Sequence, residues 1–457
     1  MSEVGEHRSG RYKSVLSLAW PLIISNSFWN LQLTIDRVFL GNFSTEALGA
    51  AMTVMGIFWV PMALLQQTAA YLTTFVAQYF GAKEFRNIGA ATWQALHLSF
   101  AGGLLFLLFI PLSSYIFRMI GHSPLIQTFE IEYFDAVCYS ALPTAIVASV
   151  SSFFSGIGKT RTILWINFVG MIGNIVFDYL MIFGKGGFPA LGVAGAGYAT
   201  AIATSIAAVL ALILLFQKKH EDTFAMISAW RPHVAILKRY LRFGVPSGLQ
   251  WALEGLAFST FLIILGRMPA GDAALASSSI VVTVMMLSVL PSLGVAQAVS
   301  IQVGQLLGEK RGKEAARVTW SGIHLALTYI VGMGLSFLLF PSFYLSWFHN
   351  DQNAALWSEV SRIVPILLMF VAFFTCFDSL NFICSFTLKG AGDTRFVSLV
   401  ALVLPWPVMI VPTWLMRDWD GAVYWSWGAA SLFSMTQGLV FLKRFLGGKW
   451  QNMSVIH

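Results

Sequence analysis

Long apolar runs alternate with short polar connections from Ser14 to Phe445. About 20 consecutive apolar residues let an α-helix cross the hydrocarbon core of a bilayer. The pattern predicts twelve such helices, near 14 to 41, 46 to 77, 91 to 117, 128 to 157, 162 to 183, 192 to 216, 240 to 267, 274 to 306, 316 to 340, 359 to 387, 396 to 415 and 422 to 444. The expected fold is therefore an all-α integral membrane protein. Its expected parts are an N-terminal segment 1–13, a first lobe of six helices 14–216, a linker 217–239, a second lobe of six helices 240–445 and a tail 446–457.

The two lobes are written in related sequence. VAQYFGAKEFRNIGAATWQALHL at 76–98 recurs as VGQLLGEKRGKEAARVTWSGIHL at 303–325, matching Gln78 with Gln305, Gly81 with Gly308, Lys83 with Lys310, Trp93 with Trp320 and His97 with His324. Weaker echoes pair Gly156-Ile-Gly158-Lys-Thr-Arg161 with Gly390-Ala-Gly392-Asp-Thr-Arg395, and Pro21 with Pro246. Six is even, so both halves begin on the same side of the membrane. The repeat is then parallel, with a pseudo-twofold axis along the membrane normal, and the cleft between halves is the natural substrate path.

Composition agrees with this: 57% of residues are hydrophobic, 11% are charged and the mean hydropathy is +0.72. The net charge of +7 does not indicate nucleic acid, because the basic residues sit in the short connections between apolar runs. Arg8, Arg11, Lys13, Lys83, Arg86, Lys159, Arg161, the 218–242 cluster, Lys310, Arg311, Lys313, Arg317, Lys389, Arg395, Lys443, Arg444 and Lys449 fall on one side, and only Arg118, Lys185, Arg267 and Arg417 on the other. Positive charge marks the cytoplasmic face, so both termini are expected there. No signal peptide is read before the first span. The longest basic connection, Gln217 to about Arg239, reads as a surface linker. Cys138, Cys376 and Cys384 lie inside predicted helices without metal-ligand or disulfide spacing and are read as packing residues.

Of the 21 acidic residues, most fall in loops or near span ends, while Asp36, Asp178, Glu254 and Asp378 lie deeper in apolar helices. An acid at membrane depth is costly and is by default a functional residue. It either exchanges a proton or stays ionised by holding a cation. Asn174 and Asp178 are four residues apart and share a helix face, and Thr200 follows a glycine-rich turn on the next helix. With Asp36 alongside, they offer the carboxylate, amide and hydroxyl oxygens that a small hard cation prefers. Asn174 and Thr200 equally suit interhelical hydrogen bonding, and Arg37 is an alternative salt-bridge partner for Asp36. Aromatic and methionine residues surround these acids: Trp20, Phe28, Trp29, Met52, Met55, Trp59, Met62, Trp251, Phe258, Met285 and Met286. Such a lining suits lipophilic cations, although most of these residues must face lipid or pack helices. Prolines at 21, 61, 143, 246, 291, 365, 405, 407 and 412 interrupt predicted helices and allow bends.

The start Leu18-Ala-Trp-Pro21 with Asp36 and Gly41, the VAQxxGA and VGQxLGE repeats, and GxPxLGVxGAxxAT from Gly187 resemble the multidrug and toxic compound extrusion (MATE) family, NorM-like branch, over essentially the whole chain. The resemblance implies a V-shaped pair of lobes that exports cationic, aromatic compounds against inward Na+ or H+ movement. It implies a cation site at Asp36, Asn174, Asp178 and Thr200, and C-lobe acids at Glu254 and Asp378 that form a second ion site or contact substrate. Two positions depart from the pattern: Asp178, where some NorM-like members carry Asn, and Phe374, where a Tyr is expected.

Three other readings fit less well. A flippase for a lipid-linked sugar would line its cleft with Arg or Lys, and almost none lie within spans. A channel would repeat its coordinating residues between halves, and these acids do not repeat. No catalytic motif marks an enzyme; His97 and His324 sit where they cap or pack. The expected protein is a monomeric antiporter of a bacterial inner membrane. Its partners are small organic molecules and lipid, not nucleic acid, and it needs no cofactor beyond Na+ or H+.

Overall fold

The computed structural model describes residues 3–269, 271–348 and 354–457, with the side chains of 3–10 and 354–355 outside that description; Arg8, counted above among the cytoplasmic charges, therefore lies outside the described side chains. The described residues are helical or connecting, without strands. The first half holds α1 (Glu3–Phe43), α2 (Thr45–Ala70) running on into α3 (Leu72–Gly81), α4 (Phe85–Leu107), α5 (Ser113–Ile120), α6 (Pro124–Cys138), α7 (Ala141–Gly156), α8 (Thr160–Phe183) and α9 (Gly192–Leu215). A short α10 (Lys218–Phe224) follows. The second half holds α11 (Val234–Gly266), α12 (Gly271–Gly308), α13 (Gly312–Leu339), α14 (Pro341–Ser346), α15 (Ala354–Ala391), α16 (Thr394–Val403), α17 (Val411–Leu415) and α18 (Ala422–Leu446).

Among the described residues, 9 helices are long and apolar enough to cross a membrane, and α6 with α7, bent by 41°, makes one more. Helices α1 and α18 complete the twelve. They are long enough but more polar, and they bury polar side chains: Ser25 and Asp36 on α1, Ser426, Ser431, Ser434 and Gln437 on α18. The α6–α7 bend precedes Pro143, which has no N–H to continue the ladder. The expected bend in the eleventh span is a π turn, Trp406–Ile410, set among Pro405, Pro407 and Pro412. Pro21, Pro61, Pro246, Pro291 and Pro365 lie inside continuous helices.

The repeat is visible in the backbone. Lys83 and Lys310 both take a left-handed φ of 61°, a conformation that costs an L-residue about 1–2 kcal/mol. Gly158 and Gly392 both have positive φ, 78° and 105°. The matched aromatic pairs also agree, Trp93 against His97 at 5.6 Å and Trp320 against His324 at 6.2 Å, so both histidines pack on indoles.

The chain separates into two compact units. One contains Ile24–Ala252, Gly308–Lys310 and Ser454–His457; the other contains the chain up to Ile23, Leu253–Leu307 and Arg311–Met453. Helices α1 and α11 are thus each divided between units, soon after the matched Pro21 and Pro246. The core of the first unit gathers Val54, Phe58, Phe117, Phe134 and Val137; that of the second gathers Phe261, Val281, Val364, Leu368 and Trp427.

The linker is anchored on α4. Gly89 of α4 lies so close to it that a Cβ would sit 2.3 Å from the Phe224 carbonyl oxygen. Trp93 Nε1 donates to Met226 O at 2.6 Å, and Gln94 Oε1 accepts from His233 N at 3.1 Å. The Glu221 carboxylate accepts from Ile227 N and, at 2.8 Å, from Ser228 Oγ, closing the turn after α10. In α10, His220 is buried among Phe153, Phe154 and Phe224, with Nδ1 3.0 Å from Leu215 O. Burial among these rings, helped by the charges of Lys159 and Lys219, pushes its pKa below the ordinary histidine value. A group whose folded pKa lies below its unfolded value contributes stability that is full above the unfolded value and fades as pH falls through it. Protection of residues 217–233 in hydrogen exchange, corrected for intrinsic rates, should therefore fall as pH drops below about 6.5, and His220→Gln should flatten that dependence. Equal protection on both sides of that pH would contradict the assignment.

Candidate functional site

Close helix packing builds the site in the first unit. A Cβ on Gly195 would meet Met181 O of α8 at 2.6 Å, and one on Gly197 would meet Ala136 of α6 at 2.6 Å. Small residues let helix backbones approach where lipid offers no hydrophobic drive, so α9 is drawn against both neighbours. This brings Thr200 to Asn174: Asn174 Nδ2 donates to Thr200 Oγ1 at 3.1 Å, while Thr200 Oγ1 donates to Ala196 O at 3.0 Å. With its amide turned that way, Asn174 leaves Oδ1 buried without a donor.

Asp178 stands one turn beyond Asn174, with Asp36 on α1 as its neighbouring acid. Asn174 and Asp178 are 0% exposed and Asp36 is 9% exposed. Asp36 Oδ1 and both Asp178 oxygens are buried without a hydrogen-bond partner. Two facing carboxylates repel unless something positive lies between them. The site therefore presents four buried oxygens that lack donors, from two acids and an amide, beside a hydroxyl. That set fits one shared proton or one small hard cation. Tyr133 of α6 is buried with its hydroxyl in Coulombic reach of both aspartates. Arg37 is exposed and does not close over Asp36 as a salt-bridge partner.

The second unit holds Glu254 and Asp378 beside a cavity of about 140 Å³. Phe258, Phe261, Phe374, Phe433, Trp427, Met285 and Met409 form most of its wall. Asp378 Oδ1 accepts from Ser434 Oγ, Glu254 Oε1 accepts from Gln437 Nε2 at 2.9 Å, and Gln437 Oε1 accepts from Asn381 Nδ2 at 3.3 Å. Helix α18 thus supplies the polar groups that hold both acids. Lys389 is buried, with Nζ 3.9 Å over the Phe386 ring and in Coulombic reach of Glu254. The aromatic wall combined with acids is the arrangement that attracts an organic cation.

The MatE family model matches the chain twice, over residues 21–180 and 246–415, once in each half and together well over half of its length. The chain belongs to the MatE family. It is 27% identical to a probable multidrug resistance protein NorM of Thermotoga maritima, covering 97% of this chain and 94% of that protein. It is 26% identical to one of Shewanella oneidensis over 88% of this chain and 86% of that protein. A MATE crystal structure in complex with MaL6 superposes with TM-score 0.86 at 19% identity, covering 96% of this chain and 97% of that one. A MOP superfamily transporter from Pyrococcus furiosus, described as having a binding pocket of reversed polarity, superposes with TM-score 0.87 at 19% identity over 98% and 97%. The shared MatE fold is all-α, with twelve membrane-crossing helices in two sets of six.

In this MatE chain the residues expected to act together do meet in two places: Asp36, Asn174, Asp178 and Thr200 in one unit, Glu254 and Asp378 in the other. Sequence reasoning missed their supports. Tyr133, Ser434, Gln437 and Asn381 are polar residues at ordinary interhelical positions, and only three-dimensional neighbours distinguish them. Lys389, in the last turn of α15, is buried, which its place in a short basic connection did not indicate. Glu130, one of the acids taken to lie near a span end, is 0% exposed. Of the aromatic and methionine residues singled out, Phe258 and Met285 reach the cavity, whereas Trp20, Trp29 and Met52 are exposed and Trp29 packs on Trp59 at 5.9 Å.

Asp178→Asn tests the crowding of acceptors directly. The amide can donate to Asp36 at almost unchanged volume, so the thermal midpoint at neutral pH without Na+ should stay level or rise. A lowered midpoint would mean that the two carboxyls are not opposed as described.

Proposed function

We propose that this protein is a secondary active multidrug efflux antiporter. It exports organic compounds, mostly cationic and aromatic, in exchange for Na+ or H+, by alternating access of two lobes. The observation that carries the reading is the buried pair Asp36 and Asp178, in which Asp36 Oδ1 and both Asp178 oxygens lack donors and suit either a proton or a small cation. Loading of that pair, with Asn174 and Thr200 as the remaining ligands when the ion is Na+, favours one lobe arrangement. Binding of the organic cation favours the other. An ion couples to conformation only through such differential affinity.

The aromatic cavity with Glu254 and Asp378 supports a second ion site or a substrate contact in the other lobe. The multidrug resistance naming of the NorM relatives supports organic substrates rather than lipid-linked sugars. In this reading the protein is a monomer in a bacterial inner membrane with both termini cytoplasmic. It catalyses no covalent chemistry and uses no cofactor beyond its coupling ion.

Efflux of a fluorescent organic cation from proteoliposomes under imposed Na+ or pH gradients tests this. One gradient should drive transport in the wild type, and Asp36→Asn should abolish it. Undiminished driven transport in Asp36→Asn would remove that residue from coupling, and no transport by the wild type under either gradient would favour the flippase reading.

A further inference from the structure

Within the first unit, the start of α11 is tied to α2 and α3 by bonds that neither acid site uses. Helix α2 ends at Ala70 and α3 begins at Leu72, and the last carbonyls of a helix lack N–H partners within it. Two of them are met from α11: the Tyr240 hydroxyl donates to Thr68 O at 2.7 Å and to Ala69 O at 2.9 Å. Tyr240 is 0% exposed, and its ring lies 5.6 Å from that of Phe75 on α3. One and two turns further along α11, glycines draw the backbones together. A Cβ on Gly244 would meet Thr68 Cγ2 at 3.2 Å, and one on Gly248 would meet Leu64 O and Thr68 Oγ1 at 2.5 Å. Thr68 is thereby sealed under α11 and buried.

A strap crosses the same seam. Residues 454–457 belong to the first unit, and Val455 and Ile456 are buried. Val455 N donates to Oε1 of Gln78 on α3 at 2.9 Å, and Arg239 of α11 donates from Nη1 to Ile456 O. The strap thus holds α3 with one residue and α11 with the next. Lys238, Arg239 and Arg242 flank Tyr240, and Lys83 and Arg86 follow α3, so the charge bias places the seam at the cytoplasmic end.

This contact has a use beyond holding a fold together. Helix α11 opens the second set of six helices, yet its first part belongs to the first unit and the rest, from Leu253, to the second. A cycle that parts the two sets at the cytoplasmic end must break the bonds of α11 to α2 and α3. No hydrophobic drive acts between helices in lipid, so those polar bonds weigh heavily in how firmly the seam closes.

We propose that Tyr240 is the latch of the cytoplasmic opening, with the 454–457 strap as its second tie. The hydroxyl and the strap hold α11 against the break between α2 and α3, and both let go before substrate enters from the cytoplasm. Tyr240 is a positioning residue in this role, since it touches neither ion nor substrate. The inference rests on the alternating-access reading and assigns that cycle its inner closure.

The test is thiol labelling of the full chain in inside-out vesicles with a membrane-impermeant maleimide, read peptide by peptide by mass spectrometry. Thr68→Cys puts a thiol of similar size under the seam, and position 68 should label slowly. Adding Tyr240→Phe should raise that rate about two- to twelvefold, the shift that losing one hydrogen bond gives an opening equilibrium. Adding Val455→Asp instead, which forces a charge into the buried strap, should raise it as well. Cys138 and Cys384 are buried and report general loosening, so their labelling should keep its wild-type rate. An unchanged rate at position 68 in Tyr240→Phe would overturn the latch, and so would a rise at Cys138 and Cys384 in step with position 68. An unchanged rate in Val455→Asp would overturn the strap's part. Labelling needs no transport: a wild type that fails to move ethidium would overturn the antiport reading, while the rates at position 68 would still decide whether Tyr240 holds this seam.

Discussion

Hydrocarbon can neither hydrogen-bond a backbone nor solvate a charge, and this governs the whole molecule. Helices satisfy the first demand by closing every backbone bond within the segment. Acids at membrane depth must meet the second through neighbours. In the second unit, Ser434 and Gln437 of α18 supply donors to Asp378 and Glu254. In the first, Asp36 Oδ1, Asn174 Oδ1 and both Asp178 oxygens are buried without donors. The two acid pairs are therefore held differently: one is satisfied by the protein, whereas the other needs a proton or a cation to complete it. That difference is why the first pair is given the coupling role.

Helix approach decides whether such a site exists at all. Gly195 and Gly197 let α9 come within backbone distance of α8 and α6, and this is what sets Thr200 against Asn174 and Tyr133 near the aspartates. Gly103, where a Cβ would lie 2.4 Å from Leu142 Cα, does the same for α4 and α7. Gly195 and Gly197 thus shape the site although neither carries chemistry.

Much of this was legible in the sequence because the relevant signals are local or periodic. Apolar runs marked the helices, and the recurrence of 76–98 at 303–325 marked the repeat, which the matched φ of Lys83 and Lys310 repeats in the backbone. Isolated acids in apolar runs marked Asp36, Asp178, Glu254 and Asp378. What escaped depends on where side chains go rather than on where residues fall. Glu130 is near the start of its helix, yet the short connection through His122 folds over it and removes it from solvent. Lys389 ends its helix, yet its aliphatic stem and ammonium turn back over Phe386, as long basic chains do. The linker reads as a surface connection, and nothing in its own sequence shows that Gly89, Trp93 and Gln94 of α4 receive it.

The claim on which the account turns is that the Asp36 and Asp178 cluster gives up its ion when an organic cation binds. Counting the protons and Na+ ions released per bound cation, in weakly buffered detergent solution at equilibrium, addresses it most directly. The account predicts stoichiometric release of one of the two by the wild type and none by the Asp36→Asn, Asp178→Asn double variant. Cation binding that releases neither ion, or release that persists in the double variant, would contradict it.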